Sequence, residues 1–433
     1  MTVGGKRGAG AAALLLVFTA GAILFAACAS PGSTRRGEPP PVPSPPGIPP
    51  TPPVPGPSIT APPPAPRPEA AGARPVRVRL EGILPTLRIA GDSMRAWNPA
   101  GLLLATENGN VALSAVGNRI AWGGTKMLDS PIDVWSPGGL SIAGRRPPGR
   151  IRISARSGGI RVVAVVPLEE YVAAVLSREA APSFLPEALS ALAVSVRTYT
   201  LSAVAAPRDP DYDVVAGVED QVFEGVENVG PAFHAAAEAT RGYVLYDSRD
   251  KLARTVYHST CGGMTESAKD AWGEDLPYLR SVPCDDCRES PAWRWEYRMG
   301  RAEGVRVAAA LGVRAGDELG IAVAGRTRTG RASQVRLTSG GVAREAKASV
   351  FRRAAGYALV KSLWMEIVPS GRGWRLTGKG YGHGVGMCQW GANGMAKRGA
   401  GYREILARYY PRTRIASSPG GPGPLAGGAG EKP

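Results

Sequence analysis

A glycine-rich stretch near the C-terminal end, Lys379–Ala392, constrains the fold of this chain more than any other segment. It holds five glycines and one of only three histidines in the chain. Glycine adopts positive φ angles and lets the backbone pass close to another strand or a ligand, whereas a packed helix avoids so much glycine. Tyr381, His383, Gln389 and Trp390 lie among the glycines, and a plain linker would not need them. The stretch therefore predicts a close-packed loop, which either is a structural turn or lines a groove.

The first residues of the chain have the pattern of an export signal. Lys6-Arg7 precede an apolar run, Ala11–Ala27, which ends in small residues before Cys28. The two alanines before Cys28 resemble a bacterial lipobox, in which the cysteine is acylated and becomes the mature N-terminus. Phe25 stands where that box usually has Leu, so a plain signal anchor is the alternative. We interpret residues 1–27 as a lipoprotein signal peptide and Cys28 as the lipidation site.

A proline-rich tract follows the signal. It contains runs such as Pro39–Pro41 and Pro62–Pro64 and has few apolar side chains whose burial could offset the entropy of ordering. As polyproline II, roughly 45 residues reach on the order of 140 Å at most. We interpret residues 28–75 as a lipid-anchored, disordered tether between a membrane and the exported body, and residues 417–433 as a disordered tail.

The chain carries a formal net charge of +16 at pH 7. Such a charge attracts polyanions over long range, among them nucleic acid, lipid headgroups and cell-wall carboxylates. The predicted export argues against nucleic acid as a partner. An arginine-rich genome would also raise the charge without any functional purpose.

The exported body, residues 76–416, mixes strand and helix patterns. Apolar and charged residues alternate over 76–81, which predicts a half-buried strand, and Ile160–Val166 predicts a buried one. Short apolar runs separated by glycine pairs predict a turn-rich β region between these two strands. Two prolines then open helices at their first turns, so residues 167–206 predict a helical segment.

The remaining patterns complete an α+β prediction. Residues 291–368 read as an inserted β-rich segment with one helix near Arg301–Leu311, and Glu404–Tyr410 as a last short helix. The predicted fold class is therefore α+β, with a mixed β-rich body, a helical catalytic segment and a preceding Pro-rich tether.

A motif in the helical segment resembles a known family. Leu168–Val172, then Ser177–Phe184 and Glu187-Ala188-Leu189, resemble the catalytic region of the stage II sporulation protein D (SpoIID/LytB) family. Glu179 precedes Glu187 by eight residues, the spacing that the catalytic Glu of that family has. The glycine-rich stretch resembles the family's closing signature, with Cys388 where Ser is usual. The resemblance covers residues 76–414 and implies an activity on bacterial cell-wall glycan.

The same resemblance implies that Glu179 is the catalytic acid and base. Cleavage of a glycosidic bond needs an acid, and an unperturbed Glu with a pKa of about 4.3 is mostly ionised at neutral pH. Apolar neighbours such as Leu176 and Phe184 are expected to raise the pKa of Glu179 by desolvation. Hydrolases commonly use two carboxylates. A lytic transglycosylase can instead return one Glu as the base that activates the muramic acid 6-hydroxyl, which closes an anhydro ring.

Further residues of the resembling motifs are candidates for substrate binding. Residues two apart on a helix do not share a face, so at most one of Arg197 and Tyr199 is expected to point at Glu179. The predicted substrate-binding residues are Arg197, Tyr199, His258, Ser259, Tyr381, His383 and Gln389.

The cysteines other than Cys28 suggest a metal or a disulfide. His258-x2-Cys261 and Cys284-x2-Cys287 have spacings typical of tetrahedral zinc. We predict one structural Zn²⁺ on His258, Cys261, Cys284 and Cys287. The alternatives are a disulfide from Cys261 to one of the other two, because an exported protein meets an oxidising compartment, or free thiols. Cys388 is expected to be a small buried side chain.

Together these features predict a peptidoglycan lytic transglycosylase that cleaves the MurNAc–GlcNAc bond and leaves anhydromuramic ends. The alternative is a non-catalytic wall-binding modulator of an amidase, since the family includes amidase enhancers. A zinc hydrolase is disfavoured, because three Cys and one His leave no open position for water. The expected partners are glycan strands and, through the lipid anchor, the periplasmic face of a membrane. Protein partners, oligomeric state and any need to remove stem peptides first stay open.

Overall fold

The structure, a computed structural model, describes residues 75–142, 146, 149–316 and 318–418. The predicted signal peptide, Cys28, the tether and most of the tail lie outside the described residues. The described chain is a strand-rich mixture of sheets and helices, which confirms the predicted α+β class. Its buried hydrophobic side chains group into three clusters, one in the N-terminal sheet, one around the first helices and one in the segment after residue 294.

Ten strands of the described residues form one sheet at the N-terminal side of the body. Its strands are β1 Val76–Arg79, β2 Thr86–Trp97, β3 Leu103–Val116, β4 Arg119–Trp122, β5 Lys126–Asp129, β6 Ile132–Trp135, β7 Ser141–Ile142, β8 Arg150–Arg156, β9 Gly159–Val166 and β10 Val214–Val215. They run in the order β10-β1-β9-β8-β6-β2-β3-β4-β5, with β7 beside β2. The predicted strands at 76–81 and 160–166 are β1 and β9. Two of the predicted short apolar runs, Leu102–Leu104 and Val111–Leu113, fall on or directly before the single strand β3. They are joined in one strand because β3 pairs with β2 along most of its length.

The helices of the described chain are α1 Leu168–Glu179, α2 Pro186–Ala205, α3 Pro231–Ala239, α4 Ala268–Trp272, α5 Arg301–Ala310, α6 Ala348–Ala355, α7 Gln389–Lys397 and α8 Tyr402–Tyr409. Proline precedes α1 and begins α2, as predicted. By length and composition α2 could cross a membrane, but 72% of its most apolar window is buried inside the protein, as is typical of a core helix. Because α1 ends at Glu179, the Glu179 carboxyl lies at the edge of the helical core.

The later strands are β11 Tyr243–Tyr246, β12 Tyr257–His258, β13 Trp295–Met299, β14 Gly320–Arg326, β15 Ala332–Ser339, β16 Val342–Lys347, β17 Met365–Ser370, β18 Gly373–Gly378, β19 Met387–Cys388 and β20 Arg414–Ser417. Two three-stranded sheets, β13-β18-β17 and β14-β15-β16, pack with α5 and α6 around their own core. Two short pairings join distant parts of the chain: β12 with β19, and β11 with β20.

A buried arginine joins the first three helices. Arg197 of α2 is 0% exposed, and its Nε donates to Oε1 of Glu169 in α1 at 2.9 Å. Its Nη2 donates to the Ala237 carbonyl of α3 at 2.9 Å, and its Nη1 to the Tyr243 carbonyl at 3.2 Å. The guanidinium is thus used inside the protein. This corrects the prediction that Arg197 binds substrate and fits the expectation that one of Arg197 and Tyr199 lies in the core.

Replacing Arg197 with Met should destabilise the fold by about 3 kcal/mol, because Glu169 then keeps a poorly solvated charge without its partner. The control is Arg241→Met, which removes an exposed ion pair with Glu238 and should change stability by less than about 1 kcal/mol. Urea unfolding of both variants measures the difference. Equal losses in the two variants would contradict the role given to Arg197.

Candidate active site

A groove of about 600 Å³ opens beside the C-terminal end of α1. Its walls come from the end of α1, from residues 218–222, from residues 254–259 and from the glycine-rich stretch. Aromatic side chains make up much of the lining: Phe184, Tyr199, Tyr257, Trp272, Tyr357, Tyr381 and Trp390. Aromatic faces with polar tips are well suited to sugar rings, which have apolar C–H faces and hydroxyl edges.

The Glu179 carboxyl lies in this groove and has two neutral hydrogen-bond donors. The Val222 N–H donates to Oε1 at 3.1 Å, and the Gln389 amide Nε2 donates to Oε2 at 3.4 Å. Burial raises the pKa of Glu179, and these two hydrogen bonds partly oppose that increase. Among the ion pairs between described residues, none involves Glu179. Burial thus shifts the carboxyl towards its protonated form, and the same two donors can hydrogen-bond the carboxylate once the proton is released.

A hydrogen-bonded row of buried polar groups supports the floor of the groove. Gln221 is 1% exposed and accepts from the Tyr171 hydroxyl at 3.1 Å and from Thr200 at 3.0 Å. Its Nε2 donates to the Tyr257 hydroxyl oxygen at 3.1 Å. Burial holds the pKa of the Tyr257 phenol well above its usual value. Tyr257 therefore keeps its proton and has it available for an acceptor in the groove.

The second acid of the groove floor, Asp220, is occupied by donors. The Tyr199 hydroxyl donates to its Oδ1 at 2.6 Å, and the Val215 N–H donates to its Oδ2 at 2.8 Å. Arg208 forms an ion pair with the same carboxylate. Tyr199 lines the groove, and its hydroxyl connects it to Asp220 on the neighbouring loop.

The glycine-rich stretch packs tightly against residues 256–260. Tyr381 and Thr260 exchange both backbone hydrogen bonds, at 2.7 and 3.0 Å. Gly380 and Gly386 have φ angles of 81° and 71°, and a Cβ at either would lie 2.5 Å or less from a backbone carbonyl oxygen. Only glycine allows this approach. The stretch is thus a close-packed turn and also a groove wall, so the two alternatives for it are compatible.

Two histidines of this wall are held by backbone groups. His383 Nε2 lies 2.9 Å from the Tyr257 carbonyl, and its Nδ1 accepts from the Val385 N–H at 3.1 Å. Burial lowers the pKa of His383 to about 4, so it is neutral at physiological pH. His258 Nδ1 donates to the Val385 carbonyl at 3.1 Å, and its buried Nε2 has no partner among the described residues. Both imidazoles shape the groove as neutral rings.

Four buried cysteines lie next to the groove wall. The Sγ atoms of Cys261, Cys284, Cys287 and Cys388 all lie within 4.8 Å of one another, and all four are free thiols in the structure. The cluster contains Cys388 in place of His258, which corrects the predicted ligand set. The reason is strand register: His258 and Cys388 are partners in the β12–β19 pair, which brings the Cys388 sulfur to Cys261. His258 instead lines the groove.

The structure places the other predicted site residues as follows. Ser259, Tyr381, His383 and Gln389 line the groove with Glu179, whereas Arg197 does not. Residues missed by the sequence analysis are Tyr257, Trp272, Arg254, Arg352 and the Val222 N–H. Tyr257 could have been found from its position beside His258. The arginines had no signal, because they are two among many on a basic chain.

Several known proteins are similar to this chain. A family profile described as stage II sporulation protein (SpoIID) matches residues 156–246, which include Glu179. Stage II sporulation protein D of Bacillus subtilis is 30% identical over 280 residues, 58% of this chain and 75% of the relative. An uncharacterised protein of Brachyspira hyodysenteriae is 33% identical over 250 residues, 58% of this chain and 66% of the relative. An amidase enhancer of Bacillus subtilis is 25% identical over 294 residues, but only 40% of its length is covered.

The fold and the groove thus define a mixed α+β protein with a half-buried glutamate, Glu179, in an aromatic groove. The chain belongs to the stage II sporulation protein D (SpoIID) family.

Replacing Glu179 with Gln should stabilise the fold at pH 7. A carboxyl whose pKa is raised in the folded state destabilises that state once the pH exceeds its unfolded pKa, because folding then works against ionisation. The gain in melting temperature should disappear as the pH falls below about 4, where the carboxyl is protonated in both states. The control is Glu170→Gln at an exposed position of α1. A Glu179→Gln variant less stable than wild type at pH 7 would contradict the prediction.

Proposed function

We propose that this protein is a peptidoglycan lytic transglycosylase that cleaves the MurNAc–GlcNAc bond with Glu179 as its acid and base. The observation that carries the proposal is the Glu179 carboxyl, raised in pKa by burial and opening on an aromatic groove. Membership of the SpoIID family and the relative named amidase enhancer support the coarser statement that the protein has a role at the cell wall.

The proposed first step is proton donation. The protonated Glu179 gives its proton to the glycosidic oxygen, and the bond from that oxygen to C1 of the muramic acid breaks. Positive charge develops at C1 while Glu179 becomes a carboxylate. The Val222 N–H and the Gln389 amide then hydrogen-bond that carboxylate, which limits the cost of charging a buried group.

The second step uses the same carboxylate as a base. Glu179 removes the proton of the muramic acid 6-hydroxyl, whose oxygen bonds to C1 and closes the 1,6-anhydro ring. The acid is thereby regenerated and no water is consumed. One carboxyl is sufficient, and the partners of Asp220 fit this, because its oxygens already accept from Tyr199 and the Val215 N–H and pair with Arg208.

The rest of the groove suits an acidic glycan. Arg254 lies over the Trp272 ring, with 5.1 Å between its guanidinium carbon and the ring centre, at an exposed part of the groove. Its Nη1 forms an ion pair with Glu274 at 2.6 Å, so a ligand would have to bind the rest of the guanidinium or displace Glu274. A stacked cation beside aromatic faces can bind a carboxylate while sugar rings pack on the aromatic side chains. The net charge of +16 attracts the anionic wall over longer range.

The proposal includes location and cofactor. We propose that the chain is exported and anchored at Cys28 as a lipoprotein on the periplasmic face of a membrane, as its N-terminal pattern indicates. We also propose a structural zinc ion on the buried cysteines, which their proximity supports. Four thiolates around zinc leave no position for water or substrate, so the ion would take no part in bond cleavage.

Mass spectrometry of glycan incubated with the full-length protein tests the activity. Anhydromuramic ends should accumulate with wild type, and Glu179→Gln should reduce their rate of formation by about 10² to 10⁴. Glu170→Gln should retain wild-type activity, because that side chain is exposed on α1.

Full activity of Glu179→Gln would refute the catalytic assignment. The similarity to an amidase enhancer favours one other candidate, a non-catalytic modulator. That function would be indicated if wild type produced no anhydromuramic ends on glycan with or without stem peptides, yet accelerated a purified amidase.

A further inference from the structure

We propose that the fourth ligand of the zinc ion is Cys388, so that the ion is held by four thiolates and fixes the start of α7, from which Gln389 reaches Glu179. The cluster consists of Cys261, Cys284, Cys287 and Cys388. Its connection to catalysis rests on the proposed function. The ligand set of the cluster, which excludes His258, is independent of the proposed function.

The sulfur spacing fits a tetrahedral ion. Zinc–sulfur bonds of about 2.3 Å in a tetrahedron place the sulfurs about 3.8 Å apart. The Sγ atoms of Cys261 and Cys287 are 3.5 Å apart, and no pair of the four exceeds 4.8 Å. Four thiolates in this arrangement select a soft tetrahedral metal, which in proteins means zinc or iron.

Backbone and hydroxyl donors surround the sulfurs as they do in known metal centres. The N–H groups of Cys261 and Gly391 each donate to the Cys388 Sγ at 3.3 Å, and the Tyr409 hydroxyl lies 3.1 Å from the Cys284 Sγ. Donors to the sulfurs stabilise the thiolate form and orient the ligands. The Cys388 sulfur also caps α7, where the helix dipole favours negative charge.

Two glycines of α7 keep the helix close to the turn that carries two ligands. A Cβ on Gly391 would lie 2.4 Å from the Cys284 Sγ, and one on Gly394 would lie 2.1 Å from the Asp286 carbonyl oxygen. Any larger residue would push the helix away from the sulfurs. The sequence of α7 is thus adapted to the cluster.

A buried cation lies beside the cluster. Arg331 is 3% exposed, and its Nη2 donates to the carbonyl oxygens of Cys261 at 2.9 Å and of Met264 at 2.7 Å. Zinc with four thiolates carries a net charge of −2, which is costly in a protein interior unless positive charge compensates for it. Arg331 can supply only part of that compensation, because its Nη1 also lies 4.0 Å from the buried Glu266 carboxylate.

The ligand set connects the ion to the groove. Cys388 immediately precedes Gln389, whose Nε2 lies 3.4 Å from the Glu179 Oε2. The next residue, Trp390, packs edge-on against Phe184, with 5.3 Å between the ring centres. If the ion holds Cys388, it also holds these two groove residues. Gln389 is a positioning residue in this account, acting on the substrate through Glu179.

Metal analysis of the purified full-length protein tests the ligand set. Wild type should contain about one zinc per chain, Cys388→Ser should lose most of it, and His258→Asn should keep it. Zinc retained in Cys388→Ser and lost in His258→Asn would overturn the proposal, as would iron in place of zinc. A metal-free wild type whose mass is lower by two hydrogens would instead establish a disulfide.

Cobalt substitution decides the same question if Cys388→Ser does not fold. Wild type loaded with cobalt should show the charge-transfer absorption of four thiolates. A spectrum of three thiolates and one imidazole would overturn the proposal. These readouts do not depend on glycan cleavage, so they hold whether or not the proposed activity is correct.

The connection to catalysis has its own test. Removing zinc should lower glycan cleavage about tenfold or more, as loss of supporting contacts does in metal sites. Gln389→Ala should lower it similarly, and combining the two should add little, because both act through the same contact. Unchanged cleavage by metal-free protein would refute the connection. So would a combined loss of activity equal to the product of the two separate losses. In either case the ligand set would still be decided by the metal analysis.

Discussion

The close packing of the glycine-rich stretch against residues 256–260 is the contact on which the rest of the site depends. It exists because Gly380 and Gly386 leave room for carbonyl oxygens that any side chain would strike. Through it, Gln389 meets Glu179 and Cys388 meets Cys261, across separations of 210 and 127 residues. Without this contact, Glu179 at the end of α1 would be exposed to solvent, and the groove would lack one wall. The groove is therefore produced by backbone approach as much as by the side chains that line it.

Two of the acids that line the groove, Glu179 and Asp220, have different hydrogen-bond partners. Glu179 has only neutral donors, and burial raises its pKa. Asp220 instead accepts from a tyrosine hydroxyl and a backbone N–H and forms an ion pair with the Arg208 guanidinium. The contrast arises from the partners, since Glu and Asp differ by only one methylene group. Different partners are how proteins assign separate proton-transfer roles to the same functional group.

Local signals in the sequence were sufficient for the elements that are defined locally. Proline positions gave the starts of α1 and α2, and motif spacing singled out Glu179, which the structure places at the end of α1. Features that depend on distant pairing were not accessible. The exchange of His258 for Cys388 follows from the register of β12 with β19, and two apolar runs merged into β3 because β2 pairs along both. Arginine is usually a surface residue, so the sequence alone does not indicate that Arg197 is buried. Only the packing of three helices shows this.

The late position of the glycine-rich stretch has a consequence for when the protein can act. The stretch, α7 and the closing β11–β20 pair all come from the last part of the described chain, while Glu179 comes from its first half. A chain that is still being synthesised already contains Val222, one donor to the Glu179 carboxyl, but it lacks the second groove wall and the Gln389 donor. The order of segments along the chain thus determines when the groove is complete. The groove is completed last, when the glycine-rich stretch packs against residues 256–260.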